Sequence, residues 1–486
     1  MKNKLILVFA LTLLISTTGN AQDCNCESNF EWIKKTFEEN DAGFQYIIDS
    51  KGKQAYDIHN ALSFEKIKSA KTSIECTTLL YEWLTFFRKG HIGIERLTYG
   101  EVNNQQTNNQ STLNTDNWET IDIDIEKFSN YLDGKKEADF EGIWETQLYT
   151  IAIKKEGDNY IGFIVESENK LWKKGEVKLK IIREGENLKS IFYMGNRSVN
   201  ENNNAVEFIG TNHLQIGNIN LKRLRPQLPV DLSAENYFKI IFAANPYAEE
   251  IDSTTLLLRI PSFKNSKALI DSVIFANKEK ILRTKNLIID IRNNGGGSDT
   301  NFSEIIPFLY TNPIRTVGVA YLSTKQNNQR WLDLLNGVYG DLHDSDKKWV
   351  KTAYDKLEAH LGEFVDINSK VISVKELDTI YVYPKNIGII INGENASTTE
   401  QFLLAAKQSK KVKLFGTTTS GALDISNLHF IESPCKEFKL WYGLSKSHRI
   451  PNMTIDDKGI HPDYYIDKTI PSHKWVDFVK EVLNKW

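Results

Sequence analysis

Apolar positions change period along the chain, and each change predicts a different kind of element. Phe30, Ile33 and Phe37 fall on one helical face, and Leu80, Trp83, Leu84 and Phe87 repeat the spacing more strongly. That second helix is expected to stop at Arg88-Lys89-Gly90, with cations in its last turn and glycine just past it. His91-Ile92-Gly93-Ile94 then starts a short extended piece. Residues 101–118 are rich in Asn, Gln, Ser and Thr and read as a loop. From 119 to 225 the pattern shortens to strands such as Tyr149–Ile153, Tyr160–Ile164, Val177–Ile181 and His213–Ile216. Turn residues separate them, which predicts a small all-β barrel or sandwich domain. From 235 to 486 strands alternate with helices, the signature of an α/β core. Within it, the polar stretch Ser323 to Asn368 is expected to be a helical insertion near a substrate cleft.

The N-terminus departs from this soluble pattern. Lys2 and Lys4 precede the apolar run Leu5 to Ile15, and Gly19-Asn20-Ala21 offers small residues for cleavage. Residues 1–21 are therefore expected to be a signal peptide cut after Ala21. That leaves a helical region at 22–100 and an exported chain, periplasmic or extracellular, with no membrane span after cleavage. The whole chain has 486 residues and a net charge of −3; loss of Lys2 and Lys4 makes it −5. No basic block points to nucleic acid. Export permits disulfides among Cys24, Cys26, Cys76 and Cys435. Cys24 and Cys26 are too close in sequence to pair without strain, so one of them is expected to pair with Cys76. The cysteine spacing does not resemble a zinc site and no His-Glu-x-x-His occurs, so neither metal nor cofactor is expected.

Two stretches carry candidate chemistry. The apolar run Leu287 to Ile291 stops at Gly295, Gly296 and Gly297. A glycine loop after a buried strand lets backbone amides approach a bound group closely. About a hundred residues later, Asn386 to Asn392 forms a second apolar run. It ends in Gly393-Glu394-Asn395-Ala396-Ser397-Thr398-Thr399-Glu400, followed by a helical pattern. Glycine amides can bind an oxyanion and a serine at a strand-to-helix junction can attack a carbonyl, which together are the parts of an acyl-transfer site. Ser397-x-x-Glu400 is equally a helix capping box, and the two roles can coexist.

These stretches resemble the C-terminal processing, or tail-specific, serine peptidase family, which includes the tricorn core enzymes. Asp290, Arg292, Asn294, Gly296 and Gly297 are similar to its Asp-x-Arg-x-Asn-x-Gly-Gly motif, with Asn294 a near match. Ser397 and Glu400 match its Ser-x-x-Glu. Gly416, Thr419 and Gly421 resemble its Gly-x-x-Thr-x-Gly, and Asp456, Gly459, Pro462 and Asp463 its Glu-x-x-Gly-Val-x-Pro-Asp. The resemblance covers roughly residues 250–470 and a short piece near His91. It implies a crotonase-like (ClpP-like) α/β core with an N-terminal helical cap, and Ser397 as nucleophile. Where the tail-specific branch places its lysine this chain has Ala422, so a Ser-Lys dyad is not available. The tricorn branch instead takes a histidine from the cap region, which implies His91 as general base; an imidazole with an ordinary pKa of about 6.5 suits that task. His461, inside a motif, is its main competitor. Asp456 matches the branch's orienting carboxylate. The implied oxyanion donors are the backbone amides of Gly296 or Gly297 and of Thr398, while Asp290 and Arg292 hold the loop. The segment between cap and core lacks the glycine-rich carboxylate-binding loop of a PDZ domain.

The leading reading is thus a secreted or periplasmic serine peptidase acting on a peptide or protein substrate. One alternative is a catalytically inactive binding protein on the same fold. Another is a ligand- or glycan-binding β domain in which Trp144 and Trp172 line a site.

Overall fold

The computed structural model describes residues 24–97, 118–203, 206–368 and 370–486. The expected signal segment 1–21 and all but Trp118 of the expected loop at 101–118 lie outside the described residues. The chain divides into two compact units built from interleaved segments, one from residues 1–100, 320–367 and 425–446, the other from 101–319, 368–424 and 447–486.

In the first unit, helices Cys26–Asn40, Phe44–Lys51, Lys53–Lys68 and Ser73–Leu84 bury the apolar face read from the sequence. Phe30, Phe37, Trp83 and Phe87 meet there in edge-to-face and tilted contacts with centroids 4.6–5.9 Å apart, the geometry that aromatic quadrupoles favour. A sheet packs on them: Gly93–Arg96 and Ile425–Glu432 both pair antiparallel with Phe438–Ser447. The stretch expected to be a helical insertion contains helices Lys325–Leu335, capped by Thr324, and Asp344–Glu358, packed together around Trp331, Val350 and Leu357. Two disulfides close the unit. Cys26 pairs with Cys76, and Cys24 pairs with Cys435 across a sequence separation of 411.

One local reading needs correction here. The helix begun at Ser73 ends at Leu84, not at Arg88. Arg88 does not cap a helix in solvent. It is buried and paired through both terminal nitrogens with the buried carboxylate of Asp41, at 2.8 and 2.5 Å. Its Nε and Nη2 also donate to the carbonyls of Gly90 and His91 at 3.0 Å. A buried pair of this kind persists because its remaining hydrogen-bonding capacity is filled, here by loop carbonyls and by the Gly43 and Gly443 amides on Asp41.

In the second unit, residues 142–225 form a nine-stranded antiparallel sheet whose edge strands, Val199–Asn203 and Val206–Ile209, are near neighbours in the chain. The sheet is barrel-like and encloses Trp144, Ile151, Ile164, Leu179, Leu214 and Leu221. Trp144 and Trp172 are buried in this β unit rather than lining an open site: Arg223 stacks on Trp144 at 4.0 Å and Lys178 on Trp172 at 3.7 Å. They are core residues whose faces are already covered by cations.

The remainder of this unit is built on a six-stranded sheet, with a separate antiparallel pair, Ile314–Val317 and Ile372–Lys375. Thr255–Arg259, Asn286–Asp290, Asn386–Ile391, Val412–Gly416 and Tyr464–Tyr465 run parallel, and Tyr247–Asp252 adds an antiparallel edge. Parallel strands buried on both faces need continuous apolar runs, which explains the runs near 287 and 387. One face packs Ile270, Ile274, Phe402 and Leu403 from helices Lys267–Arg283 and Thr398–Ala406. The other packs Ile240, Trp475, Val479 and Leu483 from helices Leu232–Ile241 and Trp475–Asn484. Overall the architecture is mixed α/β with a barrel-like sheet.

Candidate active site

Ser397 sits between the strand Asn386–Ile391 and the helix Thr398–Ala406, with φ 60° and ψ −126°. A non-glycine residue at positive φ is costly, by about 1–3 kcal/mol, and persists only where its surroundings impose it. Such a sharp strand-to-helix turn lifts a serine hydroxyl out of the sheet edge. The imposing contacts can be named. Asn395 is fully buried; its amide donates to the Ile291 carbonyl at 2.5 Å and the Asn294 carbonyl at 3.2 Å, and its oxygen accepts from Asn392 N–H at 2.8 Å. The Asn294 side-chain oxygen accepts from Thr399 Oγ1 at 2.9 Å, from Gly296 N–H at 3.0 Å and from Phe263 N–H at 3.2 Å. These two asparagines lock the glycine loop to the serine turn.

The glycine loop lies directly against Ser397. A methyl group on Gly296 would sit 2.8 Å from Ser397 Cβ and 3.1 Å from the Thr398 nitrogen, and Gly296 has φ +104°. Only glycine fits that close approach. Gly296→Ala should therefore push the serine turn aside. Because a misplacement of about 1 Å costs on the order of 100-fold in rate, kcat on a fluorogenic peptide is expected to fall by at least about that factor. An unchanged kcat would remove this loop from the site.

The amides divide by availability. Gly296 N–H is committed to Asn294, so it differs from the expectation of a free donor. Among the described residues, Gly297 N–H and Thr398 N–H have no protein acceptor. The Thr398 hydroxyl ties to the Gly297 carbonyl at 2.9 Å, joining the two donors.

Glu400 does turn back to the Ser397 N–H, at 3.3 Å, as a capping box requires. Its larger role was not legible from the motif. The fully buried carboxylate also accepts from Thr419 Oγ1 at 2.5 Å and from the Gly421 and Ala422 amides at 2.8 Å. Burial pushes its pKa up, against the pull of these donors. Ser397 N–H in turn reaches the Ala422 carbonyl at 2.9 Å. Ala422, in the slot where a lysine was absent, is buried and serves through its backbone.

Asp456 holds the same loop one step further on. Its Oδ1 accepts from the Leu423 and Asp424 amides, both at 2.6 Å. Asp424, fully buried, answers by accepting from the Ile455 and Asp456 amides at 2.6 and 2.9 Å and from Arg449 at 2.8 Å. Asp290 and Arg292 form a buried ion pair at 2.6 Å beneath the glycine loop.

His91 belongs to the other unit. It adopts φ 54° in the turn anchored by Arg88. Its Nδ1 lies 2.6 Å from the Ile425 carbonyl, which accepts only if Nδ1 carries the proton. Nε2 is then the lone-pair nitrogen. Burial lowers its pKa to about 4, partly offset by that carbonyl and reinforced by Arg88. His461 is exposed, with Nδ1 2.9 Å from Thr418 Oγ1.

Residues 254–466 match the family model of peptidase family S41. The chain carries an S41 serine-peptidase domain. Its enzyme type is therefore a serine-type peptidase, a hydrolase. No curated protein matches the chain in sequence. Among solved structures, a serine-to-alanine mutant of CPAF aligns with TM-score 0.50 and 11% identity, over 94% of this chain and 96% of that one. That level of likeness shows a shared fold. The photosystem II D1 C-terminal processing protease aligns at TM-score 0.37 and 11% identity, over 94% of this chain and 97% of its own. The tricorn protease gives 0.39 and 12%, over 95% of this chain and 36% of its own. No helix among the described residues is long and apolar enough to cross a membrane.

Proposed function

We propose that this S41 peptidase hydrolyses peptide bonds through an acyl-enzyme on Ser397, with neutral His91 as general base. The observation that carries the reading is the Ser397 turn, held at positive φ against a glycine loop that tolerates no side chain. In the proposed cycle His91 Nε2 takes the Ser397 proton as Oγ adds to the scissile carbonyl. The amides of Gly297 and Thr398, at the start of the nucleophile helix, stabilise the oxyanion. Imidazolium then gives its proton to the leaving amine, and water repeats the sequence on the ester. The Ile425 carbonyl fixes the imidazole tautomer, a task that needs no carboxylate on Nδ1. Asp456 and Glu400 act as positioning residues, holding loop 419–424 behind the serine. The core is read as crotonase-like, with residues 22–100 as a helical cap, 119–225 as a β domain and 235–486 as the peptidase core.

An acyl-enzyme makes a direct test. Rapid mixing with an activated peptide ester should give a burst of about one product equivalent per chain before the steady state. A linear time course with no acylated species in intact-mass spectra would contradict the mechanism.

Export is part of the same proposal, and two disulfides suit an oxidising compartment. Material secreted to the periplasm or medium should begin at Gln22 by intact mass. An uncut Met1, or a lipid on Cys24, would refute cleavage after Ala21.

A further inference from the structure

The face of the six-stranded sheet opposite the nucleophile helix carries an enclosed polar cluster that the peptidase chemistry does not use. Tyr247, Arg259 and Asp290 are register partners on adjacent strands, so their side chains share that face. Both Arg259 and Arg292 pair with the one carboxylate of Asp290, at 3.2 and 2.6 Å, and all three are fully or almost fully buried. The cluster therefore holds one more buried cation than it has buried anions. A buried charge left without compensation is costly unless something pairs with it.

A cavity of about 150 Å³ adjoins this cluster, between the sheet edge and helices Leu232–Ile241 and Trp475–Asn484. A cavity of that volume takes a ring of benzene size. Arg292 lines it and is only 2% exposed. Its Nε and one hydrogen on each terminal nitrogen are used by Asp290 and the Ser472 carbonyl. A guanidinium carries five N–H groups, so a hydrogen remains on each terminal nitrogen. Tyr237 and Trp475 flank the guanidinium at 5.3 and 5.5 Å and fix its plane. Tyr247 also lines the cavity, and its hydroxyl is enclosed with no protein partner. The carboxylates on the rim are already engaged: Glu249 by Lys239 at 2.5 Å, Glu250 by Lys280 and Arg283, Asp477 by Ser233 at 2.8 Å.

We propose that this cavity is a binding site for a small carboxylate, of the size of a free amino acid or smaller. One negative charge matches the excess cation. Two oxygens can accept from the spare guanidinium hydrogens and from the Tyr247 hydroxyl. A dianion such as phosphate would overcompensate beside Glu249, Glu250 and Asp477. The site is independent of the chemistry at Ser397, and Arg292 links it to the glycine loop only two residues before Asn294.

Calorimetric titration of the mature chain with acetate, glycine and inorganic phosphate tests this. Saturable one-site binding of acetate or glycine is expected. Tyr247→Phe should weaken it by about tenfold or more, because a hydrogen bond to a charged group is lost. Arg292→Gln strips a partner from buried Asp290 and so does not separate binding from folding; Tyr247→Phe removes only an unpartnered hydroxyl and should unfold at no lower temperature than wild type. No saturable binding, binding of phosphate alone, or carboxylate binding unchanged in Tyr247→Phe would each overturn the proposal.

Discussion

Ser397→Ala is expected to lower kcat by on the order of 10⁴-fold or more, with the fold intact. The hydroxyl is the bond-forming group in the proposed cycle, and no neighbouring side chain can replace it. The structural cost is small by comparison. A serine lost from a helix start costs about 0.5–2 kcal/mol, and Asn294, Asn395 and Glu400 hold the turn through contacts that alanine keeps. Turnover of a fluorogenic peptide, with circular dichroism as the folding control, separates the two. Activity retained in the pure variant would end the assignment of Ser397.

His91 carries the second large effect. His91→Ala should remove a factor of about 10²–10⁴ in turnover, the usual contribution of a positioned base. Its pH profile is more diagnostic than its size. The base works when neutral, and burial holds its pKa at about 4. The acid limb of kcat/KM is therefore expected near pH 4, with a plateau through pH 5–7. An imidazole at its ordinary pKa of about 6.5 would already fail there. Stability follows with a definite sign. Between pH 6.5 and about 4 the unfolded chain binds a proton at His91 that the folded chain refuses, so this contribution is full above pH 6.5 and is lost as pH falls toward 4. His429, buried with both ring nitrogens lacking a protein partner and its pKa also lowered to about 4, adds in the same direction. Thermal midpoints should fall over that window, while activity in the surviving folded fraction stays level down to about pH 5 and declines only as pH approaches 4. An acid limb centred near 6.5 would place the base elsewhere.

The strands were legible because parallel strands buried on both faces must be uninterrupted apolar runs. The runs expected at Leu287–Ile291 and Asn386–Asn392 lie within one residue of Asn286–Asp290 and Asn386–Ile391. The glycine loop was legible because only glycine tolerates its approach to Ser397. What stayed hidden depends on contacts between distant segments. Arg88 reads as a helix-terminal cation, yet Asp41 buries it, a pairing with no periodic signal. Trp144 and Trp172 read equally as ligand-binding or core; cation stacking from Arg223 and Lys178 decides for core. Glu400 announces a capping box, while its bonds to Thr419, Gly421 and Ala422 appear only when the loop folds over it. The Cys24–Cys435 bond joins opposite ends of the chain and could not be chosen from spacing.

The central claim is that Ser397 is an activated nucleophile, and covalent labelling tests it most directly. The mature chain would be treated with a fluorophosphonate from pH 3.5 to 8, then digested and mapped by mass spectrometry. The account predicts one phosphonyl group per chain, on Ser397, with a labelling rate that falls only near pH 4 and collapses in His91→Ala. No adduct, or an adduct on another residue, would contradict it.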